Sequence, residues 1–207
     1  MHMEKETARI EAFSDGVFAI AITLLILEIK VPVSGTPDLG SQLARQWPSY
    51  VAFVISFFFI GIMWINHHRL FTHIKRADNT LLVLNLVLLL GVTLVPFPTA
   101  VLAQHLGGNG ERIAMILYNG TYLVIAIFFN VLWRYSVSKK HHLFGKDFDE
   151  AAVQRISAQY ALGPMVYLLC LVLAWFSVTA SLLMNIALAI YFLLPPAHAT
   201  KFGKNPQ

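Results

Sequence analysis

The chain has 207 residues, of which 57% are hydrophobic and only 13% charged, with a mean hydropathy of +0.64 and a formal net charge of +4. A soluble domain carries about 25% charged residues, so this composition excludes an ordinary soluble protein and indicates a membrane protein. No RNA-binding or zinc-finger pattern accompanies the basic residues, so nucleic acid is not an expected partner.

The first apolar segment begins directly after ionisable residues. It follows RIEAFSD at 9–15, and the twelve residues from Gly16 to Leu27 are uninterrupted by charge. Such a run extends about 18 Å as a helix, whereas a bilayer core is about 30 Å thick. Arg9 and Asp15 are therefore expected near or within membrane depth, where an ionisable group is costly and marks a candidate functional site.

An ideal helix at 100° per residue divides this segment into two faces. One face is a stripe within about 60° of Ile20, formed by Arg9, Phe13, Ile20, Thr23, Leu24 and Leu27. Ser14 and Asp15 point to the opposite side, at about 120° and −140°. If the stripe faces an axis or a partner, Ser14 and Asp15 face helices of their own chain and need hydrogen-bond partners there.

The second predicted helix ends in the polar sequence WINHHRLFTH at 64–73, on the same side of the membrane as Asp15. Its donors suited to a carboxylate are the amide, imidazole and guanidinium groups of Asn66, His67, His68 and Arg69. We predict that Ser14 and Asp15 are tied to this cluster in a polar network that fixes the angle of the first helix. The alternative is that all of these residues lie in headgroup and loop water.

A metal site and an enzyme are both disfavoured. Five of the eight histidines form two groups, His67 with His68 and His73, and His141 with His142. Adjacent helical residues point about 100° apart, and no HExxH or cysteine-containing ligand set is present, so no metal is expected. The sequence also lacks a G-x-S-x-G motif, a P-loop and a Rossmann fingerprint. The single cysteine, Cys170, excludes an intrachain disulfide.

The remaining charge-free stretches predict the other helices. Residues 79–110 and 113–133 each hold one spanning helix, and 156–200 is long enough for two helices joined by a turn near 177–181. The predicted helices of this single domain, 1–207, are 9–30, 47–73, 78–104, 112–138, 156–177 and 180–196. The connection at 136–155 is expected to be a short amphipathic piece at the interface or, alternatively, a solvated basic loop.

The distribution of basic residues sets the orientation. With the N-terminus in the cytoplasm, all of the fifteen Lys and Arg lie inside except Lys30, Arg45 and Arg112. This bias satisfies the positive-inside rule with both termini cytoplasmic. The sequence thus predicts an all-α integral membrane protein with six transmembrane helices per subunit.

The opening motif resembles a known family. The R-x-x-x-F-S-D pattern of Arg9, Phe13, Ser14 and Asp15, the following GVFAIAITLLILEI and the later W-x-N-H-H-R beginning at Trp64 resemble the bacterial branch of the transmembrane protein 175 family of potassium channels. The resemblance covers essentially the whole chain. It implies a homotetramer in a bacterial plasma membrane, with the first helices lining a pore for monovalent cations, no cofactor and no T-V-G-Y-G filter.

The resemblance also implies a constriction formed by Ile20, Leu24 and Leu27, with Thr23 as the polar side chain at its edge. An ion passes a narrow apolar ring only by deforming its water shell, and potassium holds that shell less tightly than sodium. Because such a ring offers no replacement ligands, selectivity should be modest. The alternative for these residues is ordinary lipid-facing or packing side chains.

Charges at the two mouths of this pore allow different interpretations. Four copies of Arg9 at the inner mouth would oppose cation entry, so we expect Arg9 to pair with Glu6, Glu11 or Asp15 of the same or the next subunit. At the outer mouth Glu28 either concentrates cations or pairs with Lys30.

Two other function classes stay open. A proton-coupled secondary transporter would use Asp15 with His67 or His68 as a relay, since intramembrane carboxylates and histidines are the usual parts of proton pathways. Transporters, however, tend to show inverted repeats and broken helices at corresponding places. The other class is a structural membrane subunit without transport.

Overall fold

The computed structural model describes residues 4–32, 38–144 and 150–193, and these residues contain helices and connecting segments but no strand. The helices are α1 (Glu4–Leu24), α2 (Leu39–Arg45), α3 (Trp47–His73), α4 (Asn79–Leu94), α5 (Pro96–His105), α6 (Glu111–Ser138), α7 (Lys140–Leu143), α8 (Glu150–Phe176) and α9 (Val178–Leu193), with a 3-10 turn at Leu25–Glu28 after α1. The all-α architecture expected from the sequence is confirmed.

In the described part of the chain, five stretches are long and apolar enough to cross a membrane. They are Thr7–Glu28, Trp47–His73, Asn79–His105, Glu111–Ser138 and Val153–Phe176. The apolar part of α9, Val178–Tyr191, is shorter. At 1.5 Å per residue the 16 residues of α9 extend about 24 Å, less than the roughly 30 Å of a bilayer core.

Two of the expected helices differ in their course. The helix expected at 9–30 already begins at Glu4 and changes to a 3-10 turn after Leu24. The helix expected at 78–104 is divided at Val95, because Pro96 has no N–H to donate and opens the new helix α5. A proline at the first position of a helix is favoured, so the sequence itself contains the reason for this break.

The connection between α8 and α9 is shorter than the turn expected at 177–181. Only Ser177 lies outside both helices, and its Oγ accepts a hydrogen bond of 3.2 Å from the Ala180 amide. Ser181 is fully buried inside α9, where its hydroxyl donates to the Cys170 carbonyl at 2.8 Å. Asn119 of α6 donates to the Ser181 hydroxyl at 2.8 Å. A buried polar network therefore holds α9 against α6 and α8. Residues 194–196, which were also expected in this helix, lie outside the described part of the chain.

Pro164 lies inside α8 and leaves the Tyr160 carbonyl without its usual helical donor. The side-chain amide of Asn130 on α6 donates to this carbonyl instead. The Tyr160 hydroxyl in turn donates to the Asn66 carbonyl of α3 at 2.8 Å. Because a free carbonyl at membrane depth needs a partner, the proline and the asparagine together join α8 to α6.

At the other end of the bundle, the connection after α6 packs on the protein. The carbonyl of Leu143 accepts hydrogen bonds of 2.8 and 3.1 Å from the backbone amides of Lys75 and Arg76. Leu143 and Phe144 are buried. The described part of the connection expected at 136–155, which excludes 145–149, therefore contains the short helix α7, and the end of this helix packs on the protein instead of lying free in solvent.

Asp78 begins α4 and links it to α6. Its carboxylate accepts hydrogen bonds from the Leu81 amide at 2.8 Å and from the Tyr135 hydroxyl at 2.6 Å. Partial burial opposes ionisation, but these hydrogen bonds and the nearby His142 outweigh it and hold the pKa of the Asp78 carboxyl below its usual range.

Candidate functional site on the first helix

The first helix buries one face and exposes the other. The buried positions, spaced three, four, four, three and four residues apart, are Thr7, Ile10, Ser14, Phe18, Ala21 and Leu25. This spacing is that of a single helical face. The face packs against α3 and α4. The opposite face of α1 meets no other helix among the described residues.

The exposed face carries the apolar row predicted from the helical wheel. Ile20 is 61% exposed, Leu24 41% and Leu27 60%. Side chains three residues apart eclipse one another in a 3-10 helix, so the turn at Leu25–Glu28 places Leu27 directly above Leu24. The row from Ile20 to Leu27 is about 12 Å long, from helical rises of about 1.5 and 2.0 Å per residue.

Thr23 lies at the edge of this row with its own hydrogen bonds already made. Its hydroxyl is 2.9 Å from the Ala19 carbonyl and 3.0 Å from the Ile20 carbonyl, to which it can donate its single proton. The oxygen lone pairs stay on the exposed surface, so the group can still accept a hydrogen bond or contact a cation.

The buried face of α1 is held by a polar chain through α4 to α3. Ser14, Asn85 and His67 are 0%, 2% and 1% exposed. The Asn85 side-chain amide donates to the Ser14 hydroxyl at 3.1 Å, and its oxygen lies 2.9 Å from His67 Nε2. An amide oxygen only accepts, so His67 carries its proton on Nε2 in this arrangement. The His67 ring packs between Phe18 and Phe71, with ring centroids 5.4 and 4.6 Å away.

Asp15 makes a separate contact at the exposed edge of the same interface. The indole N–H of Trp64 donates to its carboxylate at 2.8 Å, and the Trp64 ring stacks on the ring of His68 at 6.3 Å. Helix α1 is thus joined to α3 by Trp64 and to α4 by Asn85. The two bonds lie on adjacent positions of α1 and together oppose rotation of the helix about its axis.

The rest of the predicted cluster is not brought to Ser14 and Asp15. The Asn66 carbonyl bonds Tyr160 on α8, and the exposed Arg69 interacts electrostatically with the same tyrosine. Consecutive residues of a helix point about 100° apart, so 66 to 69 cannot all face one neighbour. Asn85, which sequence reasoning missed, takes the central place; its signal was a lone amide in the leucine-rich run TLLVLNLVLLL.

The charged residues at the ends of the row have different surroundings. Among the described residues Arg9 has no ion-pair partner; the side chain of Glu6 lies outside them. The Glu28 side chain is only 17% exposed and lies 4.0 Å from the Lys30 ammonium, which donates to the Leu27 carbonyl at 2.6 Å.

No group of three or more His, Cys, Asp or Glu side chains converges anywhere in the described part of the chain.

Comparisons with known proteins agree on one family. The family described as the endosomal/lysosomal potassium channel TMEM175 matches residues 9–96. The chain is 48% identical over 194 residues to a potassium channel of Chamaesiphon minutus, covering 92% of this chain and 95% of that protein. It is 44% identical over 189 residues to a potassium channel of Streptomyces collinus, covering 90% and 91%.

A solved structure shares the fold as well as the sequence. It is described as a crystal structure of a lysosomal potassium-selective channel TMEM175 homolog from Chamaesiphon minutus. The match has a TM-score of 0.81 and 48% sequence identity and covers 90% of this chain and 95% of that one.

Proposed function

Because this chain belongs to the TMEM175 family, we propose that it is a potassium-permeable, modestly potassium-selective cation channel. The family resemblance indicated by the R-x-x-x-F-S-D opening is confirmed by relatives named potassium channels. It also confirms that the chain is not an enzyme, since the family is one of ion channels.

The proposed assembly is a tetramer with six spans per subunit, in the plasma membrane of a bacterium. A spanning α9 makes the number of crossings even and puts both termini on one side, in agreement with the bias of basic residues toward that side. The buried Asn119 and Ser181 network supports this, because it holds α9 within the bundle. The short length of α9 is tolerated by local thinning of the bilayer.

The observation that carries the proposal is the exposed row of Ile20, Leu24 and Leu27 beside exposed polar groups. Arg9 and Thr23 share the exposed face of α1 with this row. Ionisable side chains at membrane depth face water or partners and not lipid. Four such rows around an axis form an apolar constriction, and the ring of Thr23 hydroxyls at its edge supplies oxygen atoms to a partly dehydrated cation.

The polar chain through Asn85 determines which way this row points. A turn of α1 by one residue would move Ile20 by about 100° and would take Ser14 out of reach of Asn85. We therefore assign a positioning role to Ser14, Asp15, Trp64, Asn85 and His67. They hold the row toward the axis without contacting the ion.

A carrier that uses Asp15 and His67 as a relay is less well supported. Asp15 bonds Trp64 and His67 bonds Asn85, so the two titratable groups have separate partners. Proton transfer between them would require both bonds to rearrange.

The test is passive flux from liposomes containing the purified full-length protein, with potassium or sodium as the only permeant cation. Leu24→Ala removes part of the row and should raise sodium flux relative to potassium flux. Leu90→Ala on α4, where the leucine is 60% exposed, is the matched control and should leave both fluxes unchanged. Flux that requires a proton gradient and is lost in Asp15→Asn, in protein that remains folded, would favour the carrier instead.

A further inference from the structure

A cavity lies between α3, α6 and α8, away from the row on α1. It has a volume of about 70 Å³ and is lined largely by apolar and aromatic side chains, among them Ile62, Met63, Ile125, Phe129 and Tyr167. Gly163 of α8 forms part of its wall, and a Cβ added there would meet no atom within 4 Å. We refer to this cavity as the α3/α6/α8 pocket.

One end of the pocket is polar. Asn66 and Asn130 line it, and their side-chain oxygens have no hydrogen-bond donor among the described residues; the side-chain amide of Asn66 has no acceptor there either. Within a membrane bundle such groups need a partner, because lipid tails offer none. The pocket therefore combines a largely apolar lining with unused hydrogen-bonding capacity at Asn66 and Asn130, and the buried Tyr122 hydroxyl in the same lining also has no partner among the described residues.

A cation stands beside this polar end. Ile62, Asn66 and Arg69 follow one another at i, i+4 and i+7 and so share a face of α3. Arg69 is exposed, interacts electrostatically with the hydroxyl of the pocket residue Tyr160, and has no ion-pair partner in the described ranges. The guanidinium and the Asn66 amide are donors suited to a phosphate.

Other positive charges surround the same end of the bundle. Arg134 follows the pocket residue Asn130 by one helical turn, and Arg155 precedes Tyr160 on α8. The bond of 2.8 Å from the Trp133 indole to the Ser157 hydroxyl shows that these parts of α6 and α8 are adjacent. A basic pocket between transmembrane helices on the cytoplasmic side is the arrangement that selects anionic lipid headgroups.

We propose that the α3/α6/α8 pocket binds an anionic phospholipid of the inner leaflet. Arg69 and Asn66 hold the headgroup phosphate, and a segment of one acyl chain enters the apolar part of the pocket past Gly163. The volume admits only a segment of chain, so the remainder of the lipid stays in the bilayer. The assignment to the inner leaflet rests on the proposed orientation, with this end of α3 in the cytoplasm.

The proposal is tested by native mass spectrometry of the purified full-length protein in detergent. Phosphatidylglycerol and phosphatidylcholine with identical chains are titrated separately, and the ratio of their apparent dissociation constants is measured. Arg69→Gln should lower the preference for phosphatidylglycerol about fivefold, the effect of losing about 1 kcal/mol for one basic residue near the membrane surface. Arg112→Gln, at the opposite end of α6, is the matched control and should keep the wild-type ratio.

A second variant separates the chain from the headgroup. Gly163→Leu adds a large side chain at the wall of the pocket and should weaken binding of both lipids while it leaves the ratio of their dissociation constants unchanged. A melting curve of each variant establishes that it is folded. The proposal would be overturned if the ratio of the two dissociation constants were the same in Arg69→Gln and Arg112→Gln, or if Gly163→Leu bound both lipids as tightly as the wild type. It would also be overturned if inorganic phosphate bound as tightly as the lipid. The lipid-binding experiment does not depend on ion flux. A negative result would therefore leave the channel proposal unaffected.

Discussion

Replacing Asn85 by leucine should destabilise the protein more than its small change in side-chain volume suggests. The variant loses the bonds to Ser14 and His67. Hydrogen bonds between membrane helices contribute about 0.6 kcal/mol each on average. The His67 N–H, in a side chain only 1% exposed, is then left without an acceptor, which costs a further 1 to 3 kcal/mol or so. The expected loss is about 2 to 4 kcal/mol.

The assay is thermal denaturation of purified protein in detergent. The folded fraction that remains after heating is measured by size-exclusion chromatography. For a chain of this size about 1 kcal/mol lowers Tm by roughly 2 to 4 °C, so the expected decrease is on the order of 4 to 16 °C. Asn79→Leu makes the same substitution at an exposed position of α4 and should leave Tm nearly unchanged.

A double-mutant cycle then isolates the contact. Ser14→Ala alone leaves the Asn85 amide with an unused donor and should cost about 1 kcal/mol, but the same change in the Asn85→Leu background should cost almost nothing. Equal melting of Asn85→Leu and Asn79→Leu, or additive losses in the cycle, would refute the view that the Ser14–Asn85–His67 chain holds α1.

Three further outcomes are expected. Thr23→Val keeps the side-chain shape and should leave melting unchanged while it lowers potassium conductance in liposome flux, because only a hydroxyl at the edge of the row is lost. Asp78→Ala should cost about 1 kcal/mol by removing the cap of α4. Because folding lowers the pKa of the Asp78 carboxyl, its contribution to stability is complete above the ordinary pKa and is lost as the pH falls through the lowered pKa. The melting curves of wild type and variant should therefore converge in acid. Asn130→Leu should lower Tm in the wild-type background but much less in Pro164→Ala, where a backbone N–H again reaches the Tyr160 carbonyl; equal effects in both backgrounds would contradict the role given to Pro164.

The sequence predicted the helices well because long charge-free stretches are a strong signal for a membrane bundle. Trp47 and His73 bound α3 where the pattern placed them. Finer features depend on local chemistry that hydropathy does not report. Pro96 divides the third span by its missing N–H, and the change to a 3-10 turn after Leu24 has no distinct pattern in LLILE.

The candidate site was predicted only in part, for a geometric reason. The periodicity of α1 separates Ser14 from Ile20 with no knowledge of other helices. The partners of Ser14 depend on which residues of α3 and α4 face it, and this is a matter of tertiary packing. The adjacent polar residues after Trp64 predict a polar cluster by their composition, whereas the isolated Asn85 supplies the contact to Ser14.

The most direct test of the channel account is the reversal potential under bi-ionic conditions, with potassium on one side of a planar bilayer and sodium on the other. The reversal potential of the wild-type protein should indicate a preference for potassium. Ile20→Asn, which places a polar group in the proposed constriction, should still conduct but with a reversal potential close to zero. A selectivity that Ile20→Asn leaves intact would show that the filter is not the exposed row of the first helix.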